Sequence, residues 1–332
     1  MTQSPNLPIS QSPISNLQPP PNPTLYATVI KLTAAQGGSL PATQGRLAQA
    51  AFLDLIRAVD PALAAALHTY NRRRPYTISP LQGLPQNGDK YPDGRRQIPV
   101  RPGRQVWLRV TLLHSHLFAA LTRYFLAPPT LQGKGPRGEG LPPLRLGELD
   151  FIVTDLLTTP GSHPWAGYTT FHDLYQRWRG ASLDEAAHRL RIEFASPTVF
   201  SRSSDKDGMG KFMETLPTPA MFFGSLAAIW NDLMPAPLDK QAIRAYAEET
   251  VVVGLYDLRS QMSQYWGRPQ IGLLGHITYL LKDRQNQAMI RALNLLADFA
   301  FYSGVGAKTA LGMGMARRLP PKESSQFRVQ SS

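Results

Sequence analysis

The chain has 332 residues, and its 35 lysine and arginine residues against 23 aspartate and glutamate residues give a formal net charge of +12. It contains no cysteine, which excludes disulfides, thiolate nucleophiles, cysteine-rich zinc sites and iron–sulfur clusters. No apolar run approaches the ~20 residues that span a bilayer, and no signal peptide is recognisable, so we expect a cytoplasmic protein with no membrane partner. The positive charge favours a polyanionic partner such as RNA, because lysine and arginine release counterions from phosphates.

Polar, proline-rich composition marks the two ends of the chain. Residues 1–23 carry no charge and are rich in Pro, Ser, Asn and Gln, and residues 320–332 are similarly polar, so both are predicted to be disordered. Between these ends we expect two domains of similar element order, an N-terminal domain over 24–160 and a C-terminal domain over 187–319. A Pro-Gly-Ser sequence favours a linker over 161–186.

The first half alternates between strand and helix patterns. The stretch Leu25 to Ile30 is rich in β-branched residues, which predicts a strand. Asp60 followed by Pro61 is typical of a helix N-cap and first helical residue, and Pro75 bars continuation of that helix. In chain order, the predicted elements are a strand at 25–30, a helix from 43, a short helix over 62–68, an extended segment at 76–79, a loop over 83–102, a strand over 106–113, a helix over 117–126 and a strand within 144–157.

The second half repeats this order without sequence identity to the first. Its predicted elements are a strand over 190–200, a helix over 220–233, strands at 250–258 and 271–281, a helix over 286–302 and a strand near 313–317. Each half therefore has the order β-α-β-β-α-β, which is that of a ferredoxin-like unit. The predicted fold class is α+β, with two tandem ferredoxin-like (RRM-like) domains and a glycine-rich loop near the C-terminus.

The segment 304–314 is the most specific local feature, with four glycines and an adjacent Lys308 and Thr309. Glycine permits backbone conformations and close approaches that a Cβ would block, and exposed N–H groups beside a lysine suit a phosphate. The segment differs from a P-loop because a helix precedes it, a strand follows it, and Ala307 stands where that motif has glycine. A loop that binds an RNA backbone and a tight turn without a ligand both remain open.

Four segments of the chain resemble segments of one protein family and occur in the same order as in that family. The glycine-rich segment resembles the loop of RAMP proteins and, more narrowly, that of the repeat-cleaving CRISPR-associated endoribonucleases, number six of the Cas series. The others are similar to the N-terminal active-site region of that family, to the middle of its C-terminal domain and to the strand before its last helix, and the likeness spans residues 25–318. The segments are 66–81, 194–200 with 216–219, 272–279 and 304–314.

This resemblance implies an activity and a partner. The implied reaction is metal-independent cleavage of precursor CRISPR RNA within each repeat, with no cofactor and no metal. The RNA's own 2′-OH attacks the adjacent phosphate and leaves 2′,3′-cyclic phosphate and 5′-OH ends, and the guide RNA enters an effector complex. Both monomers and homodimers fit the resemblance. The alternative is a RAMP subunit of such a complex that binds RNA without cutting it.

The candidate catalytic residues lie together in the sequence. The reaction needs an acid, a base and positive charge beside the phosphorane, and His68 is the candidate for proton transfer. Its predicted place at a helix C-terminus stabilises a protonated imidazole, but the acid and base roles both stay open. Arg72, Arg73 and Arg74 follow, with Arg74 favoured to face the phosphate, and Tyr70 is a substitute for a tyrosine that some relatives carry. The alternative is a helix-capping histidine with no chemical role.

A basic region predicts the path of the RNA backbone. It lies between Arg72 and Arg104, and its alternative is a solvated basic loop. Tyr76 is predicted to stack on a base, although an aromatic residue in a strand is often part of a core. The predicted RNA-binding residues are Tyr76, Arg95, Arg96, Arg101, Arg104, Arg109, Lys206, Lys211, Gly304, Gly306, Lys308, Thr309, Gly312 and Gly314.

Overall fold

A computed structural model describes residues 22–69, 73–85, 89–90, 96–126, 143–203, 211–265 and 268–320. Nearly all of the two ends predicted to be disordered lie outside these ranges. Four of the residues predicted to act on RNA also lie outside them: Tyr70, Arg72, Arg95 and Lys206.

The first half of the chain forms a sheet that carries helices on one face. Its elements in chain order are β1 (Thr24–Ala34), β2 (Gly38–Pro41), α1 (Gly45–Val59), α2 (Pro61–Thr69), β3 (Tyr76–Ile78), β4 (Asp89–Lys90), β5 (Arg96–Val100), β6 (Gln105–Leu112), α3 (Ser115–Leu126), β7 (Leu144–Leu146), β8 (Leu149–Leu157), β9 (Gly167–Thr170) and α4 (Phe171–Arg179).

In this sheet the strand order is β3-β6-β1-β8-β7, and β9 pairs with the start of β1. The neighbours of β1 are antiparallel to it, so β1, the helix pair α1–α2, β3, β6, α3 and β8 make a ferredoxin-like unit. Alternate residues of β1, such as Ile30 and Leu32, pack against apolar positions of α1 and α3, such as Phe52 and Leu121. A separate small sheet has the order β2-β5-β4.

The second half repeats the same plan. Its elements are β10 (Arg189–Thr198), β11 (Phe200–Ser203), β12 (Lys211–Glu214), α5 (Pro219–Leu233), α6 (Lys240–Thr250), β13 (Val251–Tyr265), β14 (Arg268–Leu281), α7 (Gln287–Ser303) and β15 (Ala316–Leu319). Its sheet order, β13-β14-β10-β15, is equivalent position by position to β3-β6-β1-β8. The prediction of two tandem ferredoxin-like units is therefore confirmed.

Three regions contain more structure than the sequence patterns predict. The range 161–186, predicted to be a linker, holds β9 and α4, because Thr170 caps that helix by accepting from the Asp173 N–H and Leu174 is buried. The predicted loop 83–102 contains β4 and β5. The helix α6 was not predicted, although Asp239 caps it by accepting two backbone N–H groups.

The two halves share buried side chains. Leu25 of β1 and Leu113 after β6 pack into the core of the second half, among residues of α5 and α7. A further cluster between the halves includes Val29, Trp165 and Met315. The cores therefore meet directly. Within the described ranges, no helix is long and apolar enough to cross a membrane.

Candidate active site

His68 lies in the last turn of α2 with its side chain exposed. The helix starts where the sequence predicts, because Asp60 accepts a hydrogen bond from the Leu63 N–H at 2.9 Å and Pro61 is the first helical residue. Leu67 and the apolar residues one turn earlier are buried against the first core, which turns His68 towards solvent. The imidazole is thus accessible at the negative end of the helix dipole.

Arg73 forms an ion pair with the other half of the molecule. Its Nε donates to Asp232 Oδ2 on α5 at 2.8 Å, and the two side chains are 30% and 52% exposed. The Arg73 guanidinium is therefore shared with a carboxylate, which distinguishes it from its neighbour Arg74.

Arg74 lies between solvent and the first core. Its Nε is buried without a hydrogen-bond partner in the described part of the chain, and its guanidinium lies beside the Tyr76 hydroxyl. Tyr76 is fully buried, and its ring centroid is 4.9 Å from that of Phe52. Burial raises the pKa of Tyr76, and the hydroxyl accepts a hydrogen bond from Gln49 at 3.1 Å. A ring without an exposed face cannot stack on a base, so the RNA-binding prediction for Tyr76 is wrong.

The four loop glycines adopt left-handed backbone conformations that the packing requires. At Gly306 an added Cβ would lie 2.3 Å from the Val199 carbonyl oxygen, and at Gly314 it would lie 2.1 Å from the Val305 carbonyl oxygen. Packing against the protein itself is therefore sufficient to explain these glycines. The φ angles are +65° at Gly304, +78° at Gly306, +89° at Gly312 and +72° at Gly314.

Several N–H groups of this loop bind carbonyls of the protein. Val305 donates to Gly314 at 2.8 Å, Ala307 donates to Val199 at 2.8 Å, and Gly314 donates to Pro197 at 3.0 Å. The first bond closes the loop on itself, and the other two attach the loop to the end of β10 and the residue after it. The observations favour the tight-turn interpretation for these parts of the loop.

The loop also touches the first half at the start of α1. A Cβ on Gly45, the first residue of α1, would lie 1.7 Å from the Leu311 carbonyl oxygen, and a Cβ on Gly312 would lie 2.8 Å from the Gly45 Cα. One turn further along α1, Gln49 reaches the Tyr76 hydroxyl. The N-terminal part of α1 thus lies between the glycine-rich loop and the segment that follows the arginines.

Lys308 and Thr309 form the outer part of the loop, and both are half-buried. Lys308 has φ +60°, and its Nζ donates to Gln270 Oε1 at 2.8 Å. Burial lowers the pKa of Lys308 from its usual value. The Thr309 side chain packs over Gly304 and Gly314, since its methyl carbon would lie 3.1 and 3.0 Å from a Cβ at those positions.

Arg109 holds the two halves together. It is 2% exposed, its Nε donates to the Trp165 carbonyl at 2.9 Å, and a terminal nitrogen donates to the Phe301 carbonyl. Its guanidinium carbon lies 4.5 Å from the Phe301 ring centroid and 5.3 Å from that of Trp165. Burial lowers the pKa of Arg109 to about 9, so it remains charged at neutral pH. Because this charge is inaccessible to RNA, the RNA-binding prediction for Arg109 is wrong.

The remaining predicted RNA-binding residues lie on or beside β5, β6 and β12. Arg96, Arg101 and Arg104 are exposed, and Arg104 donates to the Gly83 carbonyl. Lys211 is the first residue of β12 and pairs with Ser203. The three arginines are accessible to a phosphate backbone, and their RNA-binding role stays a prediction.

A cavity of about 390 Å³ between the two sheets was not predicted. Gln82 and Trp165 line it from one side, and Glu193, Asp257 and His276 line it from β10, β13 and β14. Asp257 and His276 are cross-strand partners, so their side chains share one sheet face. The alternation of side chains along each strand can be read from the sequence, but the sequence does not show that a second sheet lies opposite the face that carries Asp257 and His276. Among the described residues, no group of three or more His, Asp or Glu side chains is placed to hold a metal ion.

Two family models match the chain over nearly its whole described length. Residues 25–176 match the CRISPR Cas6 N-terminal domain, and residues 192–316 match the CRISPR-associated endoribonuclease Cas6. No curated protein matches.

Solved structures of similar proteins agree with these matches. A structure described as a Cas6 (TTHB231) product complex is 30% identical with a TM-score of 0.68, and covers 89% of this chain and 100% of its own. A Cas6 (TTHA0078) product complex is 28% identical with a TM-score of 0.62, covering 89% and 99%. A Thermus thermophilus Cas6 (TTHB231) is 27% identical with a TM-score of 0.63, covering 90% and 99%. A RAMP protein binding different RNA substrates, 14% identical with a TM-score of 0.54 and covering 89% and 99%, shares the fold.

Proposed function

The chain belongs to the CRISPR-associated endoribonuclease Cas6 family, and we propose that it cuts precursor CRISPR RNA within each repeat. The product, a guide RNA, then enters an effector complex. The observation that carries this proposal is the exposed His68 at the end of α2, with Arg73 and Arg74 a few residues further along the chain. Two relatives are solved as product complexes, and the matching family model describes an endoribonuclease, which together support RNA as the ligand.

The proposed reaction uses the RNA's own nucleophile. The 2′-oxygen attacks the adjacent phosphorus, the bond from phosphorus to the 5′-oxygen breaks, and the products carry a 2′,3′-cyclic phosphate and a 5′-OH. One proton leaves the 2′-OH and one is delivered to the 5′-oxygen. His68 performs one of these transfers, and the acid and base roles both stay open.

The charge that develops on the phosphorane needs a cation. Arg74 suits this role better than Arg73, because Arg73 already binds the Asp232 carboxylate whereas the guanidinium of Arg74 lies beside the uncharged Tyr76 hydroxyl. A guanidinium presents fixed N–H donors that match a phosphate and stays charged. Arg74 is therefore the proposed stabiliser of the transition state.

The decisive assay incubates the purified protein with its cognate repeat RNA in excess EDTA and analyses the ends of the product. A single cut that leaves a 2′,3′-cyclic phosphate is expected, and a substrate with a 2′-deoxynucleotide at the cut site should stay intact. His68→Ala should bind the RNA but cut it roughly 10²–10⁴-fold more slowly. His172→Ala is the matched control, since His172 is also an exposed helical histidine. Tight binding without any cut by the wild type would overturn the proposal in favour of a guide-holding subunit.

A further inference from the structure

The ion pair between Arg73 and Asp232 connects the candidate active-site segment to the second half of the chain. Asp232 lies in the last turn of α5, next to the buried Leu233 and close to the buried Trp230. The carboxylate is therefore carried by a helix that is itself fixed in the second core. Arg73 lies four residues after Thr69, the last residue of α2.

The residues after Arg73 are fixed to the first half. The Pro75 carbonyl accepts a hydrogen bond from the Leu113 N–H at 2.9 Å, and Tyr76 is buried in the first core. The helix α2, which ends four residues before Arg73, is also held by the first core. In the described part of this segment, Arg73 is thus the residue with an ion pair to the second half.

The charges make a direct phosphate contact by Arg73 unfavourable. If Arg73 left Asp232 to bind RNA, it would leave a negative carboxylate beside the negative phosphate. Keeping the pair intact instead neutralises Asp232 and holds the segment against α5. The effect on binding is small because the pair is partly exposed, but the effect on geometry can be large because proton transfer needs atoms placed within hydrogen-bond reach.

We propose that Asp232 is a positioning residue for RNA cleavage, holding Arg73 so that the adjoining Arg74 is presented to the substrate. This inference rests on the proposed function. It assigns Arg73 to the support of the site rather than to the phosphate.

The first test compares Asp232→Asn with Glu185→Gln. Glu185 forms an ion pair of the same 2.8 Å length with Arg284, so both variants remove one negative charge from a surface pair. Asp232→Asn should lower kcat on the order of tenfold, with KM changed by less than about twofold. Glu185→Gln should keep both values, and Asp232→Glu should recover most of the loss.

The second test exchanges the charges. Arg73→Asp and Asp232→Arg should each cut slowly, and the double variant should recover because it rebuilds the pair in reverse. A phosphate-binding Arg73 predicts the opposite, since an aspartate at position 73 would repel the RNA in the double variant as well. A double variant no better than Arg73→Asp alone would therefore overturn the inference.

A third measurement does not depend on cleavage. Hydrogen exchange of the amides over residues 73–79 in the free protein should be faster in Asp232→Asn than in wild type and Glu185→Gln. A wild type that never cuts RNA would refute the proposed function, and the exchange rates would still show whether the pair holds the segment. Equal exchange in all three proteins, or equal kcat in Asp232→Asn and Glu185→Gln, would overturn the positioning role.

Discussion

Replacing Gly306 with alanine separates a packing role of the glycine-rich loop from a ligand-binding role. Gly306 has φ +78° and Gly103 has φ +75°, so both sites impose nearly the same backbone cost on an alanine. They differ in space, because a Cβ at Gly103 meets nothing within 4 Å whereas a Cβ at Gly306 would lie 2.3 Å from the Val199 carbonyl oxygen. Comparing the two variants therefore isolates the steric cost of an added Cβ at Gly306.

The magnitudes follow from these two differences. A left-handed alanine costs about 1–2 kcal/mol, which is the whole expected loss for Gly103→Ala. At Gly306 the backbone must also move away from Val199, and overpacking of this kind costs about 1–3 kcal/mol more. We therefore expect Gly306→Ala to lower the free energy of unfolding by roughly 2–5 kcal/mol.

Urea unfolding of both variants, followed by circular dichroism, measures the difference. RNA binding is measured in parallel at a temperature where both variants are folded. If Gly306→Ala is no less stable than Gly103→Ala but binds RNA much more weakly, the packing argument is refuted and Gly306 is there for the ligand.

Three further substitutions test the contact between the two halves and the outer part of the glycine-rich loop. Arg109→Met should lower the free energy of unfolding by roughly 2–5 kcal/mol, because it leaves two buried carbonyls without a donor; a loss under about 1 kcal/mol would contradict the role assigned to this residue. His163→Gln should reduce the loss of stability that wild type shows on acidification. Burial is the main cause that lowers the pKa of His163 below its usual 6.5, and the charges of nearby cations are the second. The unfolded chain therefore takes up the proton first, so stability is lost as pH falls from 6.5 towards the folded pKa, and the protonated ring cannot accept from the Trp165 N–H. Thermal melting at pH 7 and pH 5 measures this, and equal slopes in variant and wild type would disprove it. Lys308→Met should reduce the slope of log affinity against log salt by somewhat under 1 in an RNA-binding titration, and an unchanged slope would remove Lys308 from the interface.

The order of elements was predictable because each half shows its own periodicity of apolar residues and its own helix-capping and turn residues. Asp60 and Pro61 locate the start of α2, and this places His68 at its exposed end. The helix α6 has comparable signals, since Asp239 is its cap and the buried Ile243 and Ala247 lie one turn apart, so α6 is predictable from the sequence as well.

The environment of the strand residues was not predictable in the same way. Arg109 and Tyr76 lie on correctly predicted extended segments, but burial depends on what covers each face. The carbonyl partners of Arg109 are 56 and 192 residues away in sequence, on segments that no local pattern connects to it. A strand flanked by helices on one side and by a second sheet on the other buries polar and apolar positions alike, so alternation no longer identifies the solvent face.

The burial of Leu25 and Leu113 in the second core affects how the chain folds as it is synthesised. The second-half residues that share a core with these two side chains, including those of α7, are made long after β1 and β6 have left the ribosome. Until then the nascent first half carries an uncovered apolar patch, and such a patch favours aggregation or chaperone binding. Closing it requires contacts between residues that are far apart in sequence, which makes the last step of folding slow compared with the formation of either helix layer.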